Sequence, residues 1–280
     1  MDTQVLEFLL MPFLACLVLV GVHAYLGLHV LARGVIFVDI ALAQIAALGS
    51  TVAFLAGYDL DGPATYLISL SFTFVGAAMF ALSRHLKERV SQEAIIGLTY
   101  AVAAAAAVLL VDKAPHGAEH IKYILVGNIL WVTPTHVAFI AGLYSLVGIF
   151  HWIFRKRLLA LSFDKEGAHS QNMNTVLWDM VFYMSFGLVI TSSVQIAGVL
   201  LVFSFLIVPA VVSAMFTQHI GLRLVVAWSL GFVVSVGGIM ASYFLDLPTG
   251  AAVVTTFGVA LVFSILVRIL LSRVGLAQVA

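Results

Sequence analysis

A small number of polar side chains interrupt the apolar stretches of this sequence, and they are the residues that could do chemistry. Asp39 and Gln44 lie in the run from Phe37 to Gly49, and His23 lies in an earlier apolar run. An ionisable group at the centre of a bilayer costs about 2.5–3.5 kcal/mol, so such groups usually face a protein interior or a water-filled path. Carboxylate, amide and imidazole groups are also metal ligands. The three residues are therefore candidate metal ligands along a path through a membrane.

Each of these residues also has a simpler explanation. Asp39 is about one turn from the predicted end of its helix, where it could only anchor the helix in the membrane interface. A lone histidine such as His23 is more often a hydrogen-bonded packing residue. Asp39 and Gln44 are five residues apart, which is about 140° around an ideal helix axis. They would share one ligand only if the helix were distorted or the path curved.

A second candidate metal site lies in a loop that is predicted on the outer side of the membrane. It contains His116, Glu119 and His120, and borderline metal ions favour imidazole nitrogen together with carboxylate oxygen. These residues could form a loading site or a docking surface. Pro115 and Gly117 argue against a rigid helix here, which favours a solvated loop instead.

The sequence lacks the common signatures of an enzyme. It has no G-x-x-x-x-G-K-[ST] motif, no G-x-S-x-G and no H-E-x-x-H, so we expect no P-loop nucleotide site, no catalytic residues and no bound cofactor. Cys16 is the single cysteine, which excludes a disulfide within the chain and any cysteine-based metal site.

The elements that position these residues are membrane-spanning helices. Hydrophobic residues make up 63% of the 280-residue chain and charged residues 9%, whereas soluble domains carry about 25% charged residues. Apolar runs of about 20 residues, the length that crosses a bilayer, predict an all-α polytopic membrane protein with about nine transmembrane helices in a single domain, 1–280. The predicted spans are 8–31, 36–57, 64–84, 92–112, 133–153, 175–194, 196–216, 224–244 and 250–271, and the boundary between the sixth and the seventh is the least distinct.

Basic residues predict the orientation of these spans. Lys and Arg in short loops stay in the cytoplasm, and in a nine-span arrangement 11 of the 13 basic residues fall on one side. We therefore expect the N-terminus outside and the C-terminus in the cytoplasm. The formal net charge of zero gives no indication of a nucleic-acid partner.

Six stretches along the chain together resemble one transporter family. Their order and spacing are similar to those of the permeases of zinc, manganese and iron ABC importers, the metal-ion branch of the type II ABC importers. The stretches are SQEAIIG (91–97), YILVGNIL (123–130), LSFDKEGA (161–168), VQIAGVLL (194–201), IVPA (207–210) and LPTG (247–250).

The resemblance implies partners and a location. The protein would be one half of a permease homodimer in the plasma (inner) membrane of a bacterium. Two cytoplasmic ABC ATPase subunits would hydrolyse ATP, and an extracytoplasmic metal-binding protein would deliver the ion. The chain itself would contact membrane lipid and import a divalent transition metal.

The resemblance also implies a cytoplasmic coupling segment at about 155–174. Within it, Phe163, Asp164, Glu166 and Ala168 correspond to the part of the family that sits in a groove of the ATPase. A short helix can transmit a rigid-body movement only if it is fixed to the spans on both sides. The alternative is an ordinary basic inner loop.

One position departs from the family. The second helix of the family usually carries an Asp followed four residues later by a His, a pair proposed to meet the ion. Here Gln44 stands where that His would be, and Asp39 is shifted one residue upstream. An amide oxygen is a poor zinc ligand and suits harder ions better, so manganese or iron is favoured over zinc.

Three alternatives remain open at this point. The chain could import a metal chelate or another small solute. It could be a secondary transporter driven by an ion gradient, which would require a coupling carboxylate such as Asp39 or Asp179. It could also be a membrane scaffold without transport, in which polar substitutions in the second helix would affect only stability.

Overall fold

The described part of the chain consists of helices joined by short turns and loops. The structure is a computed structural model that describes residues 3–84, 90–112, 125–127, 129–164 and 173–273, with side chains from residue 8 onward, and these ranges contain no β-strand. The helices are α1 (Thr3–Arg33), α2 (Val38–Leu55), α3 (Pro63–Ser83), α4 (Gln92–Val111), α5 (Pro134–Ile153), α6 (Arg155–Phe163), α7 (Thr175–Phe216), α8 (Ile220–Leu245) and α9 (Thr249–Arg273), with a 3-10 turn at Ile129–Trp131.

Eight of these helices in the described ranges are long and apolar enough to cross a membrane, and α6 is the short exception. The all-α, multi-pass class predicted from composition is confirmed. The predicted helix count depends on α7, which has 42 residues but adopts a non-helical conformation at Gly198 (φ 75°, ψ 162°). Its two helical parts, counted separately, give the nine predicted spans.

The break in α7 lies at Gly198 rather than at 194–196, where the sequence had placed it. Residues with a Cβ rarely adopt this backbone conformation, whereas glycine does so readily. Gly127 also has a positive φ (69°), and a Cβ on Gly198 would lie 2.8 Å from the Leu125 carbonyl oxygen. The predicted boundary followed the polar residues Ser192, Ser193 and Gln195. The two serines do not break the helix, because their hydroxyls donate to the Leu188 and Val189 carbonyl oxygens of the same helix.

The described residues form two compact units. Unit 1 draws on residues 1–31, 128–141 and 200–280, and unit 2 on residues 32–127 and 142–199. In unit 1, α8 packs against α9, and Trp228 donates from Nε1 to the Gly21 carbonyl oxygen of α1 at 2.9 Å.

Unit 2 contains the helix that carries Asp39 and Gln44. Its α2 packs against both α3 and α4. The approach to α3 is very close, because a Cβ on Gly49 would lie 2.8 Å from the Ser69 Cα. Small residues at such contacts allow helix backbones to meet in a membrane, where lipid removes the usual hydrophobic driving force.

Candidate functional site

Asp39 is a buried carboxylate in the first turn of α2. It is 1% exposed, its Oδ1 accepts a hydrogen bond from the Ile40 N–H at 2.7 Å, and its Oδ2 has no hydrogen-bond partner among the described residues. The positive end of a helix dipole favours an acidic residue at this position. An acceptor oxygen that stays unpaired in the protein interior costs free energy. A residue that only anchors the helix in the membrane interface would be exposed, whereas Asp39 is buried. Asp39 thus has both the burial and the vacant oxygen of a cation ligand.

Gln44 does not share the face of Asp39. Helix α2 is continuous from Val38 to Leu55, so Gln44 stays about 140° around the axis from Asp39. Gln44 is half-buried. The residues on the Asp39 face are small: Ala43, Ala46 and Ser50 lie within about 40° of it. The two predicted ligands are therefore not brought together on one side of this helix.

His23 is fully buried in α1. Its Nδ1 is 2.8 Å from the Leu19 carbonyl oxygen one turn earlier. A ring that bonds to its own helix backbone is the arrangement expected of a packing histidine. His23 belongs to unit 1, whereas Asp39 belongs to unit 2.

Several predicted site residues lie outside the described residues, namely His116, Glu119 and His120 of the predicted outer loop and Glu166 and Ala168 of the coupling segment. Their roles stay predictions. Within the part of the chain that is described, no group of three or more His, Cys, Asp or Glu side chains is placed to hold a metal ion.

A buried charge cluster in unit 2 was not predicted from the sequence. Arg33 Nη1 donates to Asp179 Oδ1 at 2.7 Å, and Arg84 Nη1 donates to both oxygens of the same carboxylate. The side chains of Arg33 and Asp179 are 2% and 3% exposed, and that of Arg84 is 20% exposed. Among the described side chains, one carboxylate thus meets two guanidinium groups. The sequence contained one indication of this cluster: all three residues lie at or near predicted span ends on the predicted cytoplasmic side.

The charge cluster connects α6 to the surrounding spans. Arg33 Nε donates to Ser162 Oγ in α6 at 2.9 Å, and its guanidinium carbon lies 3.8 Å from the ring centroid of Phe182. Leu158 and Leu161 of α6 are also buried. The ends of α1, α3, α6 and α7 therefore meet around one ionic group.

The predicted coupling residues that are described lie at the end of α6. Phe163 is half-buried and is the last residue of the helix, and Asp164 follows it as an exposed C-cap. At the start of the same helix, the Arg157 guanidinium lies 4.9 Å from the ring centroid of Trp178 in α7. The exposed Asp164 therefore follows a helix that is held to the bundle at both ends.

Span-length helices that carry buried ionisable groups are typical of integral membrane proteins. The sequence profile of the ABC 3 transport family matches residues 5–268. The chain therefore belongs to the ABC 3 transport family.

Individual relatives agree with this family. The chain is 24% identical over 87% of its length to a probable metal transport system membrane protein of Chlamydia trachomatis, of which 83% is covered. It is 27% identical over 68% of its length to the manganese transport system membrane protein MntC of Listeria monocytogenes, of which 70% is covered. The resemblance to metal ABC permeases, seen in the sequence, is confirmed.

A solved structure supports the fold. A chain of PsaBC from Streptococcus pneumoniae, solved in complex with a Fab, superposes with a TM-score of 0.77 at 23% identity, covering 93% of this chain and 92% of that one.

Proposed function

We propose that this chain is the permease subunit of an ABC importer that moves a divalent transition metal ion, namely manganese, iron or zinc, into the cytoplasm of a bacterium. The family match supports transport, and the relatives that are described as metal or manganese transport proteins support the cargo. The observation that carries the proposal within this chain is Asp39, a carboxylate that is 1% exposed and has one oxygen without a partner.

Asp39 would meet the ion during passage. A single carboxylate on a face of small residues binds weakly, and weak binding suits a path that must release its ion. High affinity would come from the extracytoplasmic binding protein. The oxygen ligand also agrees with manganese or iron as cargo, since harder ions prefer oxygen.

The test of the path is metal uptake by the assembled importer in proteoliposomes. Asp39→Asn preserves side-chain size and the acceptor for the Ile40 N–H but removes the charge. We expect uptake of radioactive manganese to fall at least tenfold. Asp112→Asn, at the exposed C-cap of α4, should leave uptake unchanged. Full uptake in a normally assembled Asp39→Asn importer would refute the role of Asp39.

Energy would come from ATP hydrolysed by two partner subunits, and the permease would act as a homodimer. We propose that α6 and the residues after it dock on the ATPase, because α6 is fixed to α1 through Ser162 and Arg33 and ends in the exposed Asp164. A helix fixed in this way transmits a push to the spans.

The coupling test combines Asp164→Ala with Glu166→Ala. We expect the double variant to lose ATP-dependent uptake and co-purification with the ATPase, while Asp112→Ala retains both. Uptake that continues without the ATPase and stops when the ion gradient is dissipated would instead identify a secondary transporter.

A further inference from the structure

Unit 2 contains a small cavity whose polar lining consists of oxygen-bearing side chains. It has a volume of about 30 Å³ and lies between α2, the loop after it, α3 and α7. Its polar lining residues are Ser50, Asp61, Ser69, Thr191 and Gln195. A water molecule needs roughly 10–15 Å³ measured in this way, so the cavity has room for one cation together with a water.

Ser69 gives this cavity a polar group that an occupant could satisfy. It is 1% exposed, yet its Oγ has no hydrogen-bond partner among the described residues. Nearby hydroxyls are satisfied: Thr73 donates to the Ser69 carbonyl oxygen at 2.9 Å, and Thr191 donates to the Gly187 carbonyl oxygen at 2.9 Å. A buried hydroxyl without a partner costs about 1–3 kcal/mol. An occupant of the cavity would remove that cost.

Beside the apolar residues Ala46, Ala47, Leu60 and Val194, the polar side chains of the lining suit a cation better than an anion. Asp61 supplies a carboxylate at the exposed edge, Gln195 an amide, and Ser50, Ser69 and Thr191 supply hydroxyl oxygens. No lining residue supplies a sulfur or an imidazole nitrogen. Carboxylate, amide and hydroxyl oxygens together are the ligands of hard divalent cations such as Mn²⁺, Ca²⁺ and Mg²⁺. One carboxylate neutralises only one of the two positive charges of a divalent cation, so binding would be weak.

The cavity lies on the same face of α2 as Asp39. Ala46 and Ser50, which line it, are seven and eleven residues after Asp39, so each lies within about 20° of Asp39 around the axis, roughly 10 and 16 Å further along the helix. The α2 face between them is formed by small residues, including Ala43. The cavity and the Asp39 carboxylate therefore lie along one side of a single helix.

We propose that this cavity is a weak, all-oxygen cation site that receives the transported ion before it reaches Asp39. The proposal rests on the metal transport proposed above, because it assigns this cavity to the same cargo. The cavity site has different ligands from a site at Asp39 and Gln44. Cation binding in the cavity would not depend on the charge of Asp39.

The test measures Mn²⁺ binding to the purified full-length permease in nanodiscs of neutral lipid, by the electron paramagnetic resonance signal of free Mn²⁺. The background variant is Asp39→Asn, so that the binding that remains excludes the Asp39 charge. In this background, we expect Asp61→Asn to weaken the remaining Mn²⁺ binding at least tenfold. Ser69→Ala in the same background should weaken it severalfold. The matched control is Asp59→Asn, an exposed aspartate in the same loop, which should leave it unchanged.

Competition with Ca²⁺ tests the ligand chemistry. Because the site contains only oxygen ligands, Ca²⁺ should displace the Mn²⁺ whose binding depends on Asp61. If Ca²⁺ does not displace it, or if neither Asp61→Asn nor Ser69→Ala changes Mn²⁺ binding in folded protein, the cavity is not this site. Ser69→Ala serves as the second variant if Asp61→Asn does not fold.

The two proposals can fail separately. A wild-type importer that takes up manganese while Asp61→Asn changes nothing refutes the cavity and leaves the proposed function standing. A wild-type importer that transports none of manganese, iron and zinc refutes the proposed function, whatever the binding measurement gives.

Discussion

Replacing Asp179 should destabilise the protein far more than replacing Arg84, the more exposed of the two arginines that it contacts. The Asp179→Asn variant removes the only described anion of a cluster in which Arg33 is 2% exposed and Arg84 is 20% exposed. The net charge of these three side chains rises from +1 to +2. Arg84→Gln, in contrast, leaves the pair of Arg33 and Asp179 intact and lowers the net charge to zero.

The magnitude follows from burial. Breaking a buried ion pair by removing one partner costs about 3–5 kcal/mol. We expect about 3 kcal/mol for Asp179→Asn, since the Asn oxygen still accepts one hydrogen bond and Arg84 can turn towards solvent. This corresponds to a change of about 100-fold in the unfolding equilibrium. For Arg84→Gln we expect less than about 1 kcal/mol, because its contact is partly exposed.

The assay is reversible unfolding of the purified permease in mixed micelles of increasing SDS fraction, followed by far-ultraviolet circular dichroism. The comparison of the two variants is the decisive measurement. If Arg84→Gln costs as much as Asp179→Asn, or if Asp179→Asn costs less than 1 kcal/mol, the electrostatic reasoning is wrong. As a further check, Arg33→Gln should cost less in the Asp179→Asn background than in the wild type.

Three further predictions concern packing in unit 2, each measured by the same unfolding assay. Gly198→Ala should cost at least about 3 kcal/mol, since its φ of 75° suits only glycine and its Cβ would lie 2.8 Å from the Leu125 carbonyl oxygen. Gly49→Leu should cost at least about 2 kcal/mol, because its Cβ would lie 2.8 Å from the Ser69 Cα. Tyr144→Phe should cost only about 1 kcal/mol, since Ser192 and Ser193 also bond to backbone carbonyls.

Matched glycines serve as controls for the first two of these variants. A Cβ on Gly97 in α4 or on Gly142 in α5 would meet no atom within 4 Å, so Gly97→Ala and Gly142→Leu should not destabilise the protein. Equal losses in the control and the test variant would show that the close contacts do not decide the effect. A loss above 3 kcal/mol for Tyr144→Phe would show that its hydroxyl is needed to satisfy the two serines.

The positions of the spans could be predicted because the signal for them is local. A run of about 20 apolar residues must form a helix to satisfy its backbone in lipid, and most predicted ends agree with the structure to within four residues. The short α6 was less distinct, since its sequence RKRLLALSF has too few residues to span a bilayer. The break in α7 was misplaced by a few residues because only the backbone conformation of Gly198 identifies it.

The candidate site could be predicted only in part. Asp39 was identified because a carboxylate in an apolar run is conspicuous, and the angle between Asp39 and Gln44 follows from helix geometry. Ser69 gave no signal, because a serine in a span usually bonds to its own helix backbone. Its significance depends on the cavity beside it.

The sequence by itself determined the membrane class, the approximate spans and the family, since hydropathy and short motifs act over neighbouring residues. The tertiary structure alone decided which polar groups meet. Arg33 and Asp179 are 146 residues apart, and the oxygens of the cavity come from α2, α3, α7 and the loop at Asp61. Such contacts depend on which helix faces pack together, and the packing is set by close approaches such as that of Gly49 to Ser69 rather than by the pattern within any single helix.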